Sequence, residues 1–210
     1  MDTQSNRAVF QAQCLEGLYH VAAKDTSRPV LTTVCLDARG YLVAADGFAL
    51  VARKPFHKIE FTDSPFTALI PSEFAKLRFK KDSLIIVDAM AKTVQGTTKA
   101  GQTVTHPLAD GTFPRWDNLV PVYTPNTKRS PITLSVHELQ CVSKALGDPP
   151  VLYLFSSAPR DLAVAYLDCD SYAALALIMP MLAGERDAAG IMAQRDEFFA
   201  GATKPQEVAI

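Results

Sequence analysis

The sequence predicts an α+β protein built from three copies of one unit: a strand, a helix and three more strands. Three observations carry this reading. Short runs rich in Val, Ile and Thr are interrupted by single amphipathic stretches, so strand and helix periods alternate along the chain. The amphipathic stretches begin near Ala8, Pro71 and Val136, a recurrence of about 65 residues that marks internal repeats. Residues 111–121, GTFPRWDNLVP, break the pattern with two prolines and the only tryptophan. Pro114 and Pro121 each lack a backbone donor and fix φ, so this segment closes a sheet and leads out of a domain.

In the first unit, residues 8–23 place Phe10, Cys14, Leu15, Leu18, Val21 and Ala22 at helical spacing. Arg7, Gln13, Glu16, His20 and Lys24 fall on the opposite face, which predicts a helix. Pro29 ends it, because the residue before a proline avoids the α region. Strands are expected over 29–37, 41–45 and 48–53, joined by Ala38-Arg39-Gly40 and by Asp46-Gly47. The second unit has a strand over 66–70 and a helix opened by Pro71, running through Phe74, Leu77 and Arg78 towards Lys81. Its strands are 83–88, 92–97 and 102–108. After a polar linker over 122–130, the third unit has a strand over 132–134. Ser135 then serves as the N-cap of a helix carrying Val136, Leu139, Val142, Ala145 and Leu146. Strands over 151–155, 161–167 and 172–178 complete it. A single unit leaves half its sheet face bare, so units must pair. Two pair within residues 1–121. The third is expected to find no partner in the chain, which argues for oligomerisation.

The 210 residues are 48% hydrophobic and 20% charged, with a formal net charge of -1, so no global basicity announces nucleic acid. A basic face can still exist if the acids lie elsewhere, because steering depends on how charge is distributed. No apolar run approaches the roughly 20 residues of a membrane helix. The N-terminus lacks a signal peptide's charge-then-apolar order, so a cytoplasmic protein without membrane contact is expected. Cys14, Cys35, Cys141 and Cys169 form no CxxC pair and read as buried, reduced thiols. His20, His57, His106 and His137 have no metal-ligand spacing, and neither a dinucleotide nor a Walker glycine motif is present. Asp168 and Asp170 flank Cys169 without a nearby histidine. Neither catalysis nor a metal or cofactor is expected.

Three stretches, in order, carry a resemblance. The first runs from Arg28-Pro29-Val30-Leu31 to Ala45-Asp46-Gly47-Phe48-Ala49-Leu50. The second is Asp110-Gly111-Thr112-Phe113-Pro114 through Leu119-Val120-Pro121, and the third is Leu177-Ile178-Met179-Pro180-Met181. Together they resemble the middle and last domains of the bacterial DNA-polymerase sliding clamp, the processivity ring around duplex DNA. The resemblance covers roughly residues 1–182 and implies the DNA-clamp fold. It divides the chain into a complete clamp-like domain (1–121), a linker (122–130), a half domain (131–182) and a C-terminal extension (183–210). The family's first domain is absent. Family rings contain twelve units, so four copies of this three-unit chain imply a homotetrameric ring.

The resemblance further implies helices facing DNA phosphates, with Arg7, Lys24, Lys76, Arg78, Lys80, Lys81 and Lys144 as channel cations. It implies a groove for a short linear motif of a polymerase or other partner. That groove would use Leu31, Ala45, Gly47, Phe48, Ala49, Leu50, Pro121, Leu177, Met179, Pro180 and Met181. Phe48, Ala49 and Leu182 stand where the family has His, Arg and Arg, which leaves the groove rim less polar. In the tail, Ile191, Met192, Phe198 and Phe199 among charges predict an amphipathic helix on the body. Its run Gln194-Arg195-Asp196-Glu197-Phe198-Phe199 also resembles a clamp-binding peptide that would fill a groove. The alternative function is a clamp mimic that binds host clamp subunits or clamp-binding proteins without encircling DNA.

Overall fold

The structure, a computed structural model, describes residues 6–80, 82–120, 134–147, 149, 154–155, 163–168 and 172–180. Strand β1 (Arg7–Gln11) leads into 3-10 turns at Ala12–Cys14 and Leu18–His20. A further turn, Pro29–Thr32, precedes β2 (Thr33–Asp37), β3 (Tyr41–Ala45), β4 (Ala49–Pro55) and β5 (Glu60–Phe61). Next come β6 (Ala68–Pro71), α1 (Ser72–Ala75), β7 (Leu84–Asp88), β8 (Thr93–Thr97), β9 (Thr103–Pro107) and a 3-10 turn at Trp116–Leu119. The last elements are α2 (Val136–Ala145), β10 (Leu154–Phe155), β11 (Ala163–Asp168) and β12 (Tyr172–Ile178). The linker 122–130, the tail 181–210 and two of the three residues of the 132–134 strand lie outside the described residues.

The largest departure from expectation is at the start. The predicted helix over 8–23 is a strand followed by two 3-10 turns. Ala8 and Phe10 alternate inward along β1, which pairs with β7 from Arg7↔Asp88 to Gln11↔Leu84. Gly17 then breaks the path with φ 82, where a Cβ would meet the Lys144 carbonyl oxygen at 2.8 Å. The six apolar positions are nonetheless buried as their spacing predicted, because tight turns present nearly the same face. Likewise, residues 29–32 form a turn with Pro29 at its start, the predicted second helix shrinks to one turn, and the short strand β5 had no sequence signal. Helix α2 begins where predicted, with Ser135 Oγ accepting from the Glu138 N–H.

Two antiparallel sheets result, ordered β5-β1-β7-β8-β9 and β10-β11-β12-β4-β3-β2-β6. The first two units exchange strands: β1 joins the second unit's sheet, and β6 joins the first unit's beside β2. The expectation that the third unit's sheet lacks a partner in the chain is corrected. β12 pairs with β4 along its whole length, from Tyr172↔Pro55 to Ile178↔Ala49. An edge strand with free backbone groups takes the nearest complementary edge, and here that edge belongs to the same chain.

Alternation divides the seven-stranded sheet into two faces. Ala44, Ala49, Val51, Ala176 and Ile178 face the helical side and pack with Leu15, Leu18, Phe74 and Val142. Val43, Ala45, Leu50, Ala52 and Leu177 face the other side, beneath Phe113 and Trp116. Arg53 continues the helical-side row of β4 and is 1% exposed. Its guanidinium donates to the carbonyls of Cys14 (3.0 Å), Glu16 (2.7 Å) and Ala145, and lies 4.2 Å from the Tyr172 ring centroid. One planar fork therefore ties the first unit's turns to the end of α2 and to β12.

Arg53→Met is expected to lower unfolding free energy by about 3 kcal/mol, because it strands buried carbonyls that water cannot reach. Arg53→Lys should recover less than half, since a single ammonium cannot span the same acceptors; urea denaturation of both variants measures this.

Candidate functional site

The residues expected to form a groove converge at one end of the β4–β12 pair. Leu31, Ala45, Leu50 and Leu177 are buried in one apolar cluster and make a floor. At the β3–β4 turn, Asp46 Oδ1 accepts from the N–H groups of Phe48 (2.8 Å) and Ala49 (2.8 Å). Gly47 sits at φ 102, which the turn requires and a side chain would resist. That turn lifts Phe48 out of the sheet to 63% exposure, and Met179, 46% exposed, stands beside it. The Met179 N–H donates to the Phe48 carbonyl at 2.7 Å. Ala49 is buried on the helical face, so it supports the groove from beneath and does not line it. Pro180 is half-buried, and Pro121 and Met181 lie outside the described residues.

The segment carrying Leu119 and Val120 towards this floor is latched by charge and by an aromatic ring. Trp116 Nε1 donates to Asp37 Oδ2 at 3.1 Å. Arg39 pairs with Asp37 (2.7 Å) and Asp117 (3.1 Å) and lies 5.1 Å from the Trp116 ring centroid. Hydrogen bonding from Arg39 chiefly holds the Asp37 carboxyl below its usual range.

The expected channel cations divide into groups. Lys76, Arg78 and Lys144 line one cavity of about 630 Å³ on the helical side, together with Lys99 and Glu16. Lys99 reaches it from the β8–β9 turn, where its N–H donates to the Arg78 carbonyl at 2.8 Å. Among the described residues, Lys76, Arg78, Lys99 and Lys144 make no ion pair. Lys80 is exposed outside this cavity, and Lys81 lies outside the described residues. Arg7 departs from expectation. It sits on a strand, and its guanidinium is engaged by Asp88 at 2.8 Å, because the helix that would have carried it is β1. Lys24 is exposed away from the cavity, where its charge acts on Glu138.

The Cys141 Sγ lies 3.7 Å from His137 Nε2. Burial, then the Glu138 charge, raise that thiol's pKa, the opposite of an activated nucleophile. Burial pushes the Cys35 thiol up to about 12. Among the described residues no group of three or more His, Cys, Asp or Glu side chains is placed to hold a metal.

No protein-family model matches the sequence, and no curated protein matches it. Solved structures do match. The Helicobacter pylori beta clamp in complex with diflunisal superposes with a TM-score of 0.63 at 12% identity, over 87% of this chain and 68% of that one. The Pseudomonas aeruginosa DNA polymerase sliding clamp gives 0.60 at 14%, over 85% and 67%. Proliferating cellular nuclear antigen from Entamoeba histolytica gives 0.53 at 13%, over 84% and 99%. The chain has the DNA-clamp fold. It spans about two thirds of the length of the bacterial clamps it matches and nearly all of the shorter amoebal one.

Within the clamp fold, the Leu31–Ala45–Leu50–Leu177 cluster and the core packed against Leu15, Leu18 and Val142 lie on opposite faces of the seven-stranded sheet. The sequence reading missed Lys99. Its neighbours Ala100, Gly101 and Gln102 mark a turn, but no local periodicity shows that this turn lies against Arg78.

Asp37→Asn should loosen the latch, seen as a red shift of Trp116 emission, with a smaller shift for Asp117→Asn. The Asp37 carboxyl titrates lower in the folded protein. Its contribution is therefore present above the ordinary value near 3.8 and is lost as pH falls through the lowered one. An acid titration of Trp116 emission should show that loss in the wild type and not in Asp37→Asn.

Proposed function

We propose that this protein is a sliding clamp that encircles duplex DNA as a homotetrameric ring and tethers a polymerase or another partner through its groove. The observation that carries the reading is the separation of chemistries across one sheet. Cations that make no ion pair among the described residues gather on the helical face, and exposed Phe48 and Met179 stand beside an apolar cluster of the other face. The first suits phosphate held loosely through water, which is sequence-independent and permits sliding. The second suits a short apolar motif, with Met179 adapting to different guests. The solved structures of this fold include proteins named as DNA polymerase sliding clamps, which supports the same role here.

In this reading residues 1–121 form a complete clamp domain, 122–130 a linker, 131–182 half a domain and 183–210 an extension. Ring closure uses the strands that end each sheet. Among the described residues β9 has one partner, β8, and its side chains alternate between exposed and half-buried. Among the described residues β10 ends the other sheet. A head-to-tail contact between β9 of one copy and β10 of the next is heterologous and closes into a ring when the rotation fits. The protein acts in the cytoplasm, on the nucleoid, as a scaffold without catalysis or cofactor.

A second reading, the non-encircling clamp mimic, is favoured by one observation: β4 already satisfies the third unit's sheet. Circular DNA separates the two readings. Retention on a closed circle, release on linearisation and a tetrameric mass at low protein concentration are the expected results. A stable monomer that binds a polymerase or a clamp but is not retained selects the mimic.

Arg78→Glu combined with Lys80→Glu should weaken retention about tenfold and flatten its dependence on salt, because each lost phosphate contact reduces the counterions released. Unchanged retention across a salt series would remove these residues from the DNA face.

A further inference from the structure

A second cavity, of about 600 Å³, lies beside the Trp116 latch. Buried Cys35 and Leu69 line it from β2 and β6, and Phe66, Leu108, Phe113 and Trp116 add apolar walls. It forms because the segment after β9 is tied to the sheet at two separated points. The Ala109 N–H donates to the Leu69 carbonyl at 2.9 Å, and Trp116 Nε1 is held by Asp37. Among the described residues, no backbone hydrogen bond joins residues 110–116 to the sheet between those ties. The Trp116 wall is held in place beforehand: Arg39 lies 5.1 Å from its ring centroid, and Tyr41 meets it edge-on at 5.2 Å. Burial pushes the Cys35 thiol up to about 12, so it offers an apolar surface and no nucleophile. The volume falls inside the roughly 300–1,000 Å³ of small-molecule sites, which are mostly apolar with a few convergent polar groups.

The charges around the cavity select the guest. Its lining holds three cations, Arg39, Lys92 and Arg115, and three acids, Asp37, Asp110 and Asp117. They match one another: Arg39 with Asp37 (2.7 Å) and Asp117 (3.1 Å), Arg115 with Asp117 (3.4 Å), and Lys92 with Asp110 (3.1 Å). An ionic guest therefore finds no unmatched countercharge and would lose its hydration without return. An uncharged guest that both donates and accepts can bond to carboxylate and guanidinium edges while leaving every pair intact. We propose that this cavity binds a neutral, planar heteroaromatic compound, its ring against the Phe113 and Trp116 walls and its donor and acceptor edge at the charged rim. None of the lining residues belongs to the Phe48–Met179 groove or to the basic cavity, so the site is independent of partner motif, DNA and ring closure.

Trp116 is the only tryptophan in the chain, so its emission reports directly on this cavity. The test titrates the full chain with adenine and with 4-quinazolinone, both flat, uncharged and able to donate and accept. A saturable change in Trp116 emission with a midpoint below about 1 mM is expected for at least one of them, an affinity that rigid ligands of this size reach. Benzoate and benzylamine, each a ring with one charge, are expected to bind at least about tenfold more weakly. Thr67 borders the cavity, is exposed, and by alternation shares the face of Leu69. Thr67→Phe places a ring in the cavity and should weaken the neutral probes about tenfold, with the melting temperature unchanged. Absence of a saturable change with both neutral probes overturns the proposal. So does equal binding of the charged rings, or binding that Thr67→Phe leaves untouched.

Discussion

Arg53 is the constraint on which the arrangement rests. A buried guanidinium is costly unless nearby acceptors compensate its charge. Here the acceptors are the carbonyl oxygens of the 13–16 turn and of the end of α2. Carbonyls at a helix C-terminus carry partial negative charge, so the cation is compensated without a carboxylate. The Tyr172 ring closes the remaining side. This choice of partners matters because backbone acceptors cannot rotate away. The residue fixes where α2 ends relative to β4, and β4 in turn pairs with β12, which leads into Met179. The Phe48–Met179 end and the cavity lined by Arg53 and Tyr172 are thus opposite ends of one strand pair.

The two-faced sheet explains how one small protein can present two unrelated surfaces. Period-two alternation in β4 sends Leu50 and Ala52 to one side and Val51 and Arg53 to the other. A one-residue slip would exchange the groove floor with the core and bury nothing properly. The glycine turn at Asp46-Gly47 and the β12 pairing both oppose such a slip.

Much of this was legible in the residues. The β3 and β12 strands, the α2 start at Ser135, the turn at Gly47 and the burial of Phe10, Cys14, Leu15, Leu18, Val21 and Ala22 all follow from local pattern. The burial of Leu31, Ala45, Leu50 and Leu177 in one cluster follows too, because they fall within or beside strands whose faces alternation predicts. What was illegible depended on contacts between distant segments. Nothing near Arg7 signals that β7 will draw it into a strand, and nothing near Tyr172 signals β4. Lys99 joined the basic cavity through a backbone contact to Arg78, which no spacing rule encodes. Arg53 read as the end of an ordinary strand, and only packing shows it to be a buried pin.

The strand exchange between the first two units bears on how the chain is made. Because β1 is completed by β7 and β2 by β6, neither sheet can close while only the first half of this region has left the ribosome. The opening strand must wait through the synthesis of some seventy further residues for its neighbour, and β4 waits longer still for β12. Such long-range pairing slows folding relative to a chain of the same size with local contacts, and a cut between the first two units separates β1 from β7 and β2 from β6.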